Sequence, residues 1–101
     1  MTYALKLEAL AVRTRRAVFE RIAQSPASVS QIAEGLPVSR PAVSQHLKVL
    51  REAGLACEER DGVRRIYSLD QSGFAELREY FDGFWDQALD QFKRSAEGGE
   101  A

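Results

Sequence analysis

The feature that most limits what this chain can fold into is a pair of predicted helices separated by only three residues, 36–38. Ser28 stands three residues before Gln31, the spacing in which two side chains cap each other's backbone donors, so we expect the first helix to begin directly after it. Ser39 is suited to cap the second helix, which the pattern predicts over residues 40–53. Two helices joined by three or four residues form a helix-turn-helix arrangement.

The two sides of the helix predicted over 40–53 carry different chemistry. With about 100° between successive residues, Val43, Leu47 and Leu50 fall on one side and are predicted to be core. The opposite arc mixes cations with a hydroxyl and an amide: Pro41, Ser44, Gln45, Lys48 and Arg51. Phosphates and base edges accept those groups, whereas an ordinary solvated face interleaves Glu with Lys. We therefore expect this arc to contact DNA, the alternative being a merely solvated face.

Two strand-like runs, 55–60 and 63–69, flank the dipeptide Asp61-Gly62, which is preferred in a two-residue type I′ turn. They predict a β-hairpin with these cross-strand pairs: Arg60 with Val63, Glu59 with Arg64, Glu58 with Arg65, and Cys57 with Ile66. The predicted tip is cationic, with Arg60, Arg64 and Arg65. A basic hairpin directly after a helix-turn-helix is typical of a wing, which would lie along the neighbouring DNA groove.

The two ends of the chain are predicted to be helical. Residues 3–23 lack Gly and Pro and predict one or two helices, and a last helix is predicted from Asp70 or Ser72 to about Ser95. Its apolar stripe alternates steps of three and four: Phe74, Leu77, Phe81, Phe84, Ala88 and Phe92. Six of the nine aromatic residues lie in this last third. Because a domain of about 100 residues has limited interior, we expect this helix to pack against a second copy, the alternatives being a core within one chain or a ligand pocket.

Charge is unevenly distributed, although the formal net charge is only −1. Residues 1–69 hold 11 of the 14 Lys and Arg and 7 of the 15 acids, a net charge of +4. Residues 70–101 hold the other 3 Lys and Arg and the other 8 acids, a net charge of −5. We therefore expect one surface to meet phosphate and a different surface to meet protein or water.

Length and composition exclude several classes of protein. With 101 residues the chain holds one domain, expected over residues 1–96, followed by a disordered tail at 97–101. It has no apolar run of about 18 residues and no signal pattern, so the cytoplasm is the expected location. No nucleophile–base pair, carboxylate dyad or glycine-rich phosphate loop can be assembled, so an enzyme is not expected.

The single Cys and the single His exclude an intramolecular disulfide and a zinc site within one chain. Cys57 is interpreted as a small, half-buried hydrophobe, since a redox switch would need a resolving thiol from a partner chain. His46 lies at the edge of the core stripe and is interpreted as a satisfied packing residue rather than a metal ligand or pH switch.

Nearly the whole chain resembles the ArsR/SmtB-type winged-helix bacterial repressors, in the branch that lacks metal ligands. The resemblance rests on LAVRTRRAVFERIA (10–23), SVSQIAEGLPVSRPAVSQHLKVLREAGL (28–55), RDGVRRIYSL (60–69) and FWDQALDQFKR (84–94). It implies a dimer whose first and last helices form the interface, with the helix at 40–53 in the major groove. By carry-over it also implies DNA contacts at Arg40, Pro41, Ser44 and Gln45 and a wing containing Arg64 and Arg65.

The sequence departs from this family's pattern in two places. Val12-Arg13 stands where the family often has Asp-Pro. Without that pair the second helix lacks a capping residue and the chain lacks a helix-breaking proline, so it stays open whether the first two helices are continuous. Metal-sensing members carry a Cys-x-Cys type pair in the first helix of the helix-turn-helix, or Asp and His ligands on the last helix. Residues 29–36 and 70–96 contain no Cys or His, so neither a metal nor another cofactor is expected.

These observations predict a winged helix-turn-helix protein: a homodimeric repressor that binds a palindromic operator in double-stranded DNA through helix 40–53 and the wing at 55–69. The residues predicted to contact DNA are Ser39, Arg40, Pro41, Ser44, Gln45, Lys48, Arg51, Arg60, Arg64 and Arg65. Those predicted to form the dimer interface are Tyr3, Leu7, Phe74, Leu77, Phe81, Phe84, Trp85, Ala88 and Phe92. Two alternatives stay open: a module whose basic face docks an acidic protein, and a repressor with a thiol or small-ligand sensor.

Overall fold

The computed structural model describes residues 2–98, in which five helices and one antiparallel hairpin follow one another along the chain. Their bounds are α1 (Thr2–Ala11), α2 (Arg13–Gln24), α3 (Val29–Gly35), α4 (Arg40–Glu52), β1 (Ala56–Asp61), β2 (Arg64–Leu69) and α5 (Gln71–Gly98). The predicted mainly α fold with a small hairpin is confirmed.

The helix-turn-helix forms where its capping residues predict it. The Gln31 N–H donates to Ser28 Oγ at 3.2 Å and the Ser28 N–H donates to Gln31 Oε1 at 2.9 Å, which completes the capping box of α3. The Ala42 N–H donates to Ser39 Oγ at 3.3 Å and so caps α4. Only the four residues 36–39 join α3 to α4.

The first two helices are separate, which answers the question that the missing Asp-Pro leaves open. Val12 has extended backbone, with φ −82° and ψ 121°, and breaks the helix between α1 and α2. Arg15 Nε donates to the Ala9 carbonyl at 2.8 Å, and Arg16 Nη1 donates to the Leu10 carbonyl at 2.9 Å. These side chains satisfy carbonyls that the end of α1 leaves without helical partners.

The core lies between α2, α3 and α4, and the hairpin closes it on one side. Seven large side chains are fully buried: Val18, Ile22, Ile32, Val43, Leu47, Leu50 and Leu55. Each contributes about 1.5–3 kcal/mol to folding through burial. Tyr67 of β2 joins this cluster, and its N–H and carbonyl pair with those of Ala27 at 2.8 and 3.0 Å. Strand β2 is therefore hydrogen-bonded on both edges.

The hairpin forms, but its register differs from the prediction by two residues. Asp61 pairs with Arg64, so the loop is Gly62-Val63 rather than Asp61-Gly62. Gly62 has a φ of +67°, and no non-glycine residue in the described chain has a positive φ. A turn that begins with glycine needs a positive φ only there, whereas the predicted type I′ turn would have required one at Asp61 as well.

This correction changes the cross-strand partners but not the faces. The observed pairs are Ala56 with Leu69, Cys57 with Ser68, Glu58 with Tyr67, Glu59 with Ile66, Arg60 with Arg65, and Asp61 with Arg64. A shift of two residues keeps every side chain on its original face because strand side chains alternate with a period of two.

Asp70 caps α5, as predicted for one of the two candidate starts. Its Oδ1 accepts hydrogen bonds from the Gly73 N–H at 3.1 Å and from Ser72 Oγ at 2.8 Å. The bond from Gly73, followed by that from Ser72, lowers the pKa of Asp70. The carboxylate also lies where the dipole of α5 favours negative charge.

The far end of α5 differs from its prediction. The helix continues to Gly98 instead of ending near Ser95, and it thereby takes in the first two residues of the predicted tail. The rest of that tail, residues 99–101, lies outside the described residues.

The first part of α5 packs closely on its own chain. A Cβ added to Gly73 would lie 1.6 Å from the Gly54 carbonyl oxygen, so the backbones of α5 and of the turn after α4 meet there. The ammonium group of Lys6, which is buried, lies 3.2 Å from the Glu76 carboxylate. Leu77 is 3% exposed and belongs to the core of its own chain. The fold of its own chain therefore already covers most of this side chain, and its place in a dimer interface stays a prediction.

The rest of α5 projects away from the core. The principal-axis extents are 65 × 25 × 22 Å, and the radius of gyration is 17.9 Å. A compact domain of about 100 residues has a radius near 13 Å. The molecule is therefore elongated along α5.

Candidate nucleic-acid interface

The outer arc of α4 is open to solvent while its inner stripe is fully buried. The predicted DNA-contacting residues on this helix and at its cap are all exposed: Ser39, Arg40, Pro41, Ser44, Gln45, Lys48 and Arg51. The opposite stripe, Val43, Leu47 and Leu50, has no exposed surface. Core packing thus fixes the rotation of α4 about its own axis and leaves its polar groups available. Their contact with DNA stays a prediction.

A carboxylate from outside α4 lies beside this arc. Glu58 of β1 forms ion pairs with two arginines. One carboxylate oxygen lies 2.8 Å from Arg51 Nη1, and the other lies 3.1 Å from Arg65 Nε. Glu58 therefore links α4 to the hairpin. Sequence reasoning put Glu58 and Arg65 on one face of the hairpin but missed Arg51, because that contact depends on how the hairpin packs against α4.

The cations of the hairpin point in two directions. Arg60 lies directly opposite Arg65, and by strand alternation both belong to the face that carries Glu58. Arg64 belongs to the other face, and its Nη2 donates to Ser28 Oγ at 3.3 Å, at the start of α3. All three arginines are exposed. The basic tip predicted for the wing is thus divided between the groove beside α4 and the amino end of α3.

His46 lies at the edge of the core stripe, as predicted, but its hydrogen bonds are incomplete. Its Nδ1 is buried and has no hydrogen-bond partner. Burial lowers the pKa of His46, and the nearby Arg15 guanidinium lowers it further. The interpretation of a satisfied histidine was therefore wrong for this nitrogen, and the side chain favours the neutral state.

Cys57 is exposed rather than half-buried as predicted. Partial desolvation, followed by the negative charge of Asp70, raises the pKa of its thiol. The protonated thiol is thereby favoured, and it is the thiolate that attacks oxidants. This environment does not support the thiol-sensor alternative.

The predicted interface residues other than Leu77 divide into two groups. Near the core, Leu7 is half-buried, the ring of Tyr3 stacks on Tyr80 with centroids 5.0 Å apart, and Phe74 contacts Phe19 at 6.1 Å. Farther along α5 the apolar residues are exposed, and we call them the distal apolar face: Phe81, Phe84, Trp85, Ala88, Leu89 and Phe92.

Among the exposed apolar residues that sequence reasoning did not assign to an interface are Leu5 and Leu89. Leu89 stands four residues after Trp85, so helical spacing already associates the two. Leu5 lies on α1 and carries no such signal, because its neighbours in the sequence do not show which side of α1 the core covers.

Two structural absences concern residues 2–98. Their His, Cys, Asp and Glu side chains form no group of three that could hold a metal ion. None of their helices is both long and apolar enough to cross a membrane.

Comparison with known proteins shows similarity to helix-turn-helix transcriptional regulators. A family profile described as a helix-turn-helix domain matches residues 10–56. Over 82 residues the chain is 56% identical to the HTH-type transcriptional regulator Rv2034 of Mycobacterium tuberculosis, covering 81% of this chain and 77% of that protein. These similarities cover the helix-turn-helix and most of the remaining chain.

Solved structures extend the similarity to the whole fold. The crystal structure of a possible transcriptional regulator for arsenical resistance is 42% identical, with a TM-score of 0.71, over 89% of this chain and 94% of that chain. The solution structure of the homodimeric winged helix-turn-helix DNA-binding domain of Mb0332 from Mycobacterium bovis, a possible ArsR-family regulator, is 26% identical. Its TM-score is 0.69, over 89% of this chain and 83% of that chain.

Proposed function

The chain belongs to the ArsR/SmtB-type family of winged helix-turn-helix transcriptional regulators, and on that premise we propose that it is a homodimeric repressor that binds a roughly palindromic operator. The family consists of DNA-binding regulators rather than enzymes. One observation carries the proposal: the polar arc of α4 is exposed while its apolar stripe is fully buried. A helix anchored in this way can enter the major groove without disturbing the core.

The side chains of α4 divide into base-reading and phosphate-binding groups. Ser44 and Gln45 are exposed and uncharged, and a glutamine amide can bond adenine in the major groove, so they set the sequence preference. Lys48 and Arg51 supply charge for phosphate or guanine. Ser39, Arg40 and Pro41 lie at the amino end of α4, where exposed backbone donors approach the DNA backbone.

The hairpin acts as the wing and contacts phosphates beside the major groove. Arg60, Arg64 and Arg65 are exposed, and the backbone pairing of Tyr67 with Ala27 holds the hairpin against the rest of the fold. Contacts with phosphate position a protein on the duplex without reading its sequence. The wing therefore adds affinity that does not depend on the bases.

Homodimerisation is supported by the distal apolar face, since exposed apolar surface of this kind marks an interaction site. The interface joins α5 of each copy, with α1 beside it contributing Tyr3 and Leu7. A twofold dimer presents two copies of α4 to the duplex, so its operator has twofold symmetry with half-sites about 34 Å apart, one helical turn. We further propose that operator binding is independent of metal ions, because the segments in which metal-sensing members carry their ligands, 29–36 and 70–96, contain no Cys or His.

The test is a mobility shift followed by footprinting on the DNA upstream of the protein's own gene. We expect a protected palindrome, with affinity that falls by about 10³-fold or more between 50 and 200 mM salt as counterions rebind the phosphates. If no fragment binds more tightly than unrelated DNA of equal length, the proposed function is wrong. Retained binding in the presence of a chelator is expected, and its loss would contradict the metal-independent form of the proposal.

Two substitutions assign the parts of the surface. Gln45→Ala is expected to relax base preference at one position of each half-site, at a cost of about 1–3 kcal/mol. Arg64→Ala is expected to weaken all sequences alike and to reduce the salt slope by about one. Arg78→Ala is the matched control. Arg78 is an exposed arginine of α5, and its ion pair is with Asp82, four residues later on the same helix. A changed base preference in Arg64→Ala would show that the wing assignment is wrong.

A further inference from the structure

Glu58 lies in a groove whose lining includes three cations, Lys48, Arg51 and Arg65, and one other acid, Glu52. Its side chain is 16% exposed, and its two oxygens bond guanidiniums from two different elements, Arg51 of α4 and Arg65 of β2. The same groove is lined by Ser44 and Lys48 from the outer arc of α4. The carboxylate therefore lies between the two parts of the surface that are proposed to contact DNA.

The contacts of Glu58 leave little of it available for reading a base. A free carboxylate can accept the amino group of cytosine, but here each oxygen already contacts an arginine and the side chain is only 16% exposed, so little of it is open to a base. The arginines are not used up in the same way. Their side chains stay 46% and 57% exposed, and each guanidinium has five N–H donors, of which the contact to Glu58 uses one. Arg51 and Arg65 can thus bond DNA while Glu58 holds them.

The position of this acid affects specific and non-specific DNA binding unequally. Non-specific binding depends almost entirely on attraction to phosphates, for which flexible cations suffice and a nearby carboxylate is repulsive. Operator binding also needs side chains held in a fixed geometry opposite particular groups on the DNA. A group that weakens non-specific binding more than operator binding raises the ratio of operator affinity to non-specific affinity. Specificity is often achieved in this way.

We infer that Glu58 is a specificity-determining positioning residue, which ties Arg51 of the recognition helix to Arg65 of the wing and lowers binding to non-operator DNA. The inference rests on the proposed function, because it requires that α4 and the hairpin bind DNA together. Glu58 acts through the two arginines and makes no DNA contact of its own.

The test compares Glu58→Gln with Glu59→Gln. Glu59 is the next residue of β1, is exposed and lies on the opposite face of the hairpin, so its variant loses the same charge without touching the link. Dissociation constants are measured at one salt concentration for the operator and for unrelated duplex of equal length. We expect Glu58→Gln to lower the ratio of operator to non-specific affinity by about tenfold, mainly through tighter non-specific binding. In Glu59→Gln both affinities are expected to rise together, and the ratio to stay within about twofold of wild type.

Glu58→Asp separates position from charge. It keeps the negative charge but is one methylene shorter, so it cannot hold both guanidiniums at the observed distances without a shift of the hairpin. A positioning role predicts a lowered ratio here too, whereas a purely electrostatic role predicts the wild-type ratio. Melting curves of all variants show whether the fold is retained.

Several outcomes overturn the inference. If both affinities rise in parallel in Glu58→Gln, the residue is only a negative charge, and if both fall in parallel it only stabilises the fold. An unchanged ratio in Glu58→Gln also contradicts it. The proposed function fails separately, when the wild-type protein itself does not distinguish its operator from unrelated DNA.

Discussion

The two halves of α5 are covered differently, although one apolar stripe runs through both. In residues 71–80, Leu77 is 3% exposed and packs into the core of its own chain, and Phe74, although 42% exposed, contacts Phe19 of that core. In residues 81–96 every large apolar side chain is exposed, with Trp85 at 65% and Phe92 at 71%. The sequence pattern does not change between the halves, so the difference comes from the length of the helix.

This comparison shows that periodicity reports which side of a helix is covered, and not which chain covers it. At about 1.5 Å per residue a helix of 28 residues is about 42 Å long, which exceeds the reach of α1 to α4. The first half therefore belongs to the fold of one chain. The second half is not covered by its own chain, and in the proposed homodimer a second copy of α5 covers it.

The largest expected effect comes from placing a charge on the distal apolar face. Trp85→Glu removes a large ring from each side of a twofold interface and places two carboxylates there. We expect the dimer to weaken by at least about 4 kcal/mol, on the order of a thousandfold in the dissociation constant, with operator affinity lost in parallel. Sedimentation equilibrium and a mobility shift measure the two effects.

Gln87→Glu is the control for Trp85→Glu. Gln87 lies on α5 two residues later and therefore about 200° around the helix from Trp85. It adds the same charge and is expected to leave the dimer intact. A dimeric Trp85→Glu would mean that the distal apolar face has another occupant.

The next effect concerns the half of α5 that belongs to its own chain. Gly73→Ala would place a Cβ 1.6 Å from the Gly54 carbonyl oxygen, which is backbone and cannot move aside cheaply. We expect a loss of about 3 kcal/mol or more in the free energy of unfolding, measured with denaturant. Gly83→Ala, on the same helix, has no neighbouring atom within 4 Å of the added Cβ and is expected to stabilise by about 0.5–1 kcal/mol. Equal effects of the two substitutions would contradict the division of α5 into two halves.

Local chemistry was enough to predict the helix-turn-helix. Ser28 with Gln31, and Ser39 at the next helix, act through hydrogen bonds to residues only three positions away, so the sequence alone locates the starts of α3 and α4. The buried stripe of α4 followed for a similar reason, since 3.6-residue periodicity is a local property.

The features that the sequence did not predict depend on distant parts of the chain. The hairpin register is fixed partly by the pairing of Tyr67 with Ala27, forty residues away. Glu58 reaches Arg51 only because the hairpin folds back against α4. In each case a tertiary contact decides between local possibilities that the sequence leaves equal.

A smaller effect is expected at the start of α5. Asp70→Ala removes the carboxylate that accepts from the Gly73 N–H and should cost about 1 kcal/mol, whereas Asp70→Asn keeps a good cap and should cost less. Because the pKa of Asp70 is lowered in the folded protein, its charge stabilises the fold above the unfolded pKa of about 3.9. That contribution is lost as pH falls through the folded pKa. Urea unfolding at pH 7 and pH 3 checks this, and a difference between wild type and Asp70→Ala that grows in acid would contradict it.

The smallest effect is expected from a substitution of Cys57, whose thiol lies beside the Asp70 carboxylate. This substitution tests whether the thiol carries a redox signal. Because the pKa of the thiol is raised, the group stays protonated at neutral pH, and its stabilising contribution declines only as pH rises past the ordinary thiol range. We expect Cys57→Ser to change stability by less than about 0.5 kcal/mol and to leave operator affinity unchanged with or without peroxide. Wild-type protein that loses operator binding in peroxide, while Cys57→Ser retains it, would restore the thiol-sensor alternative.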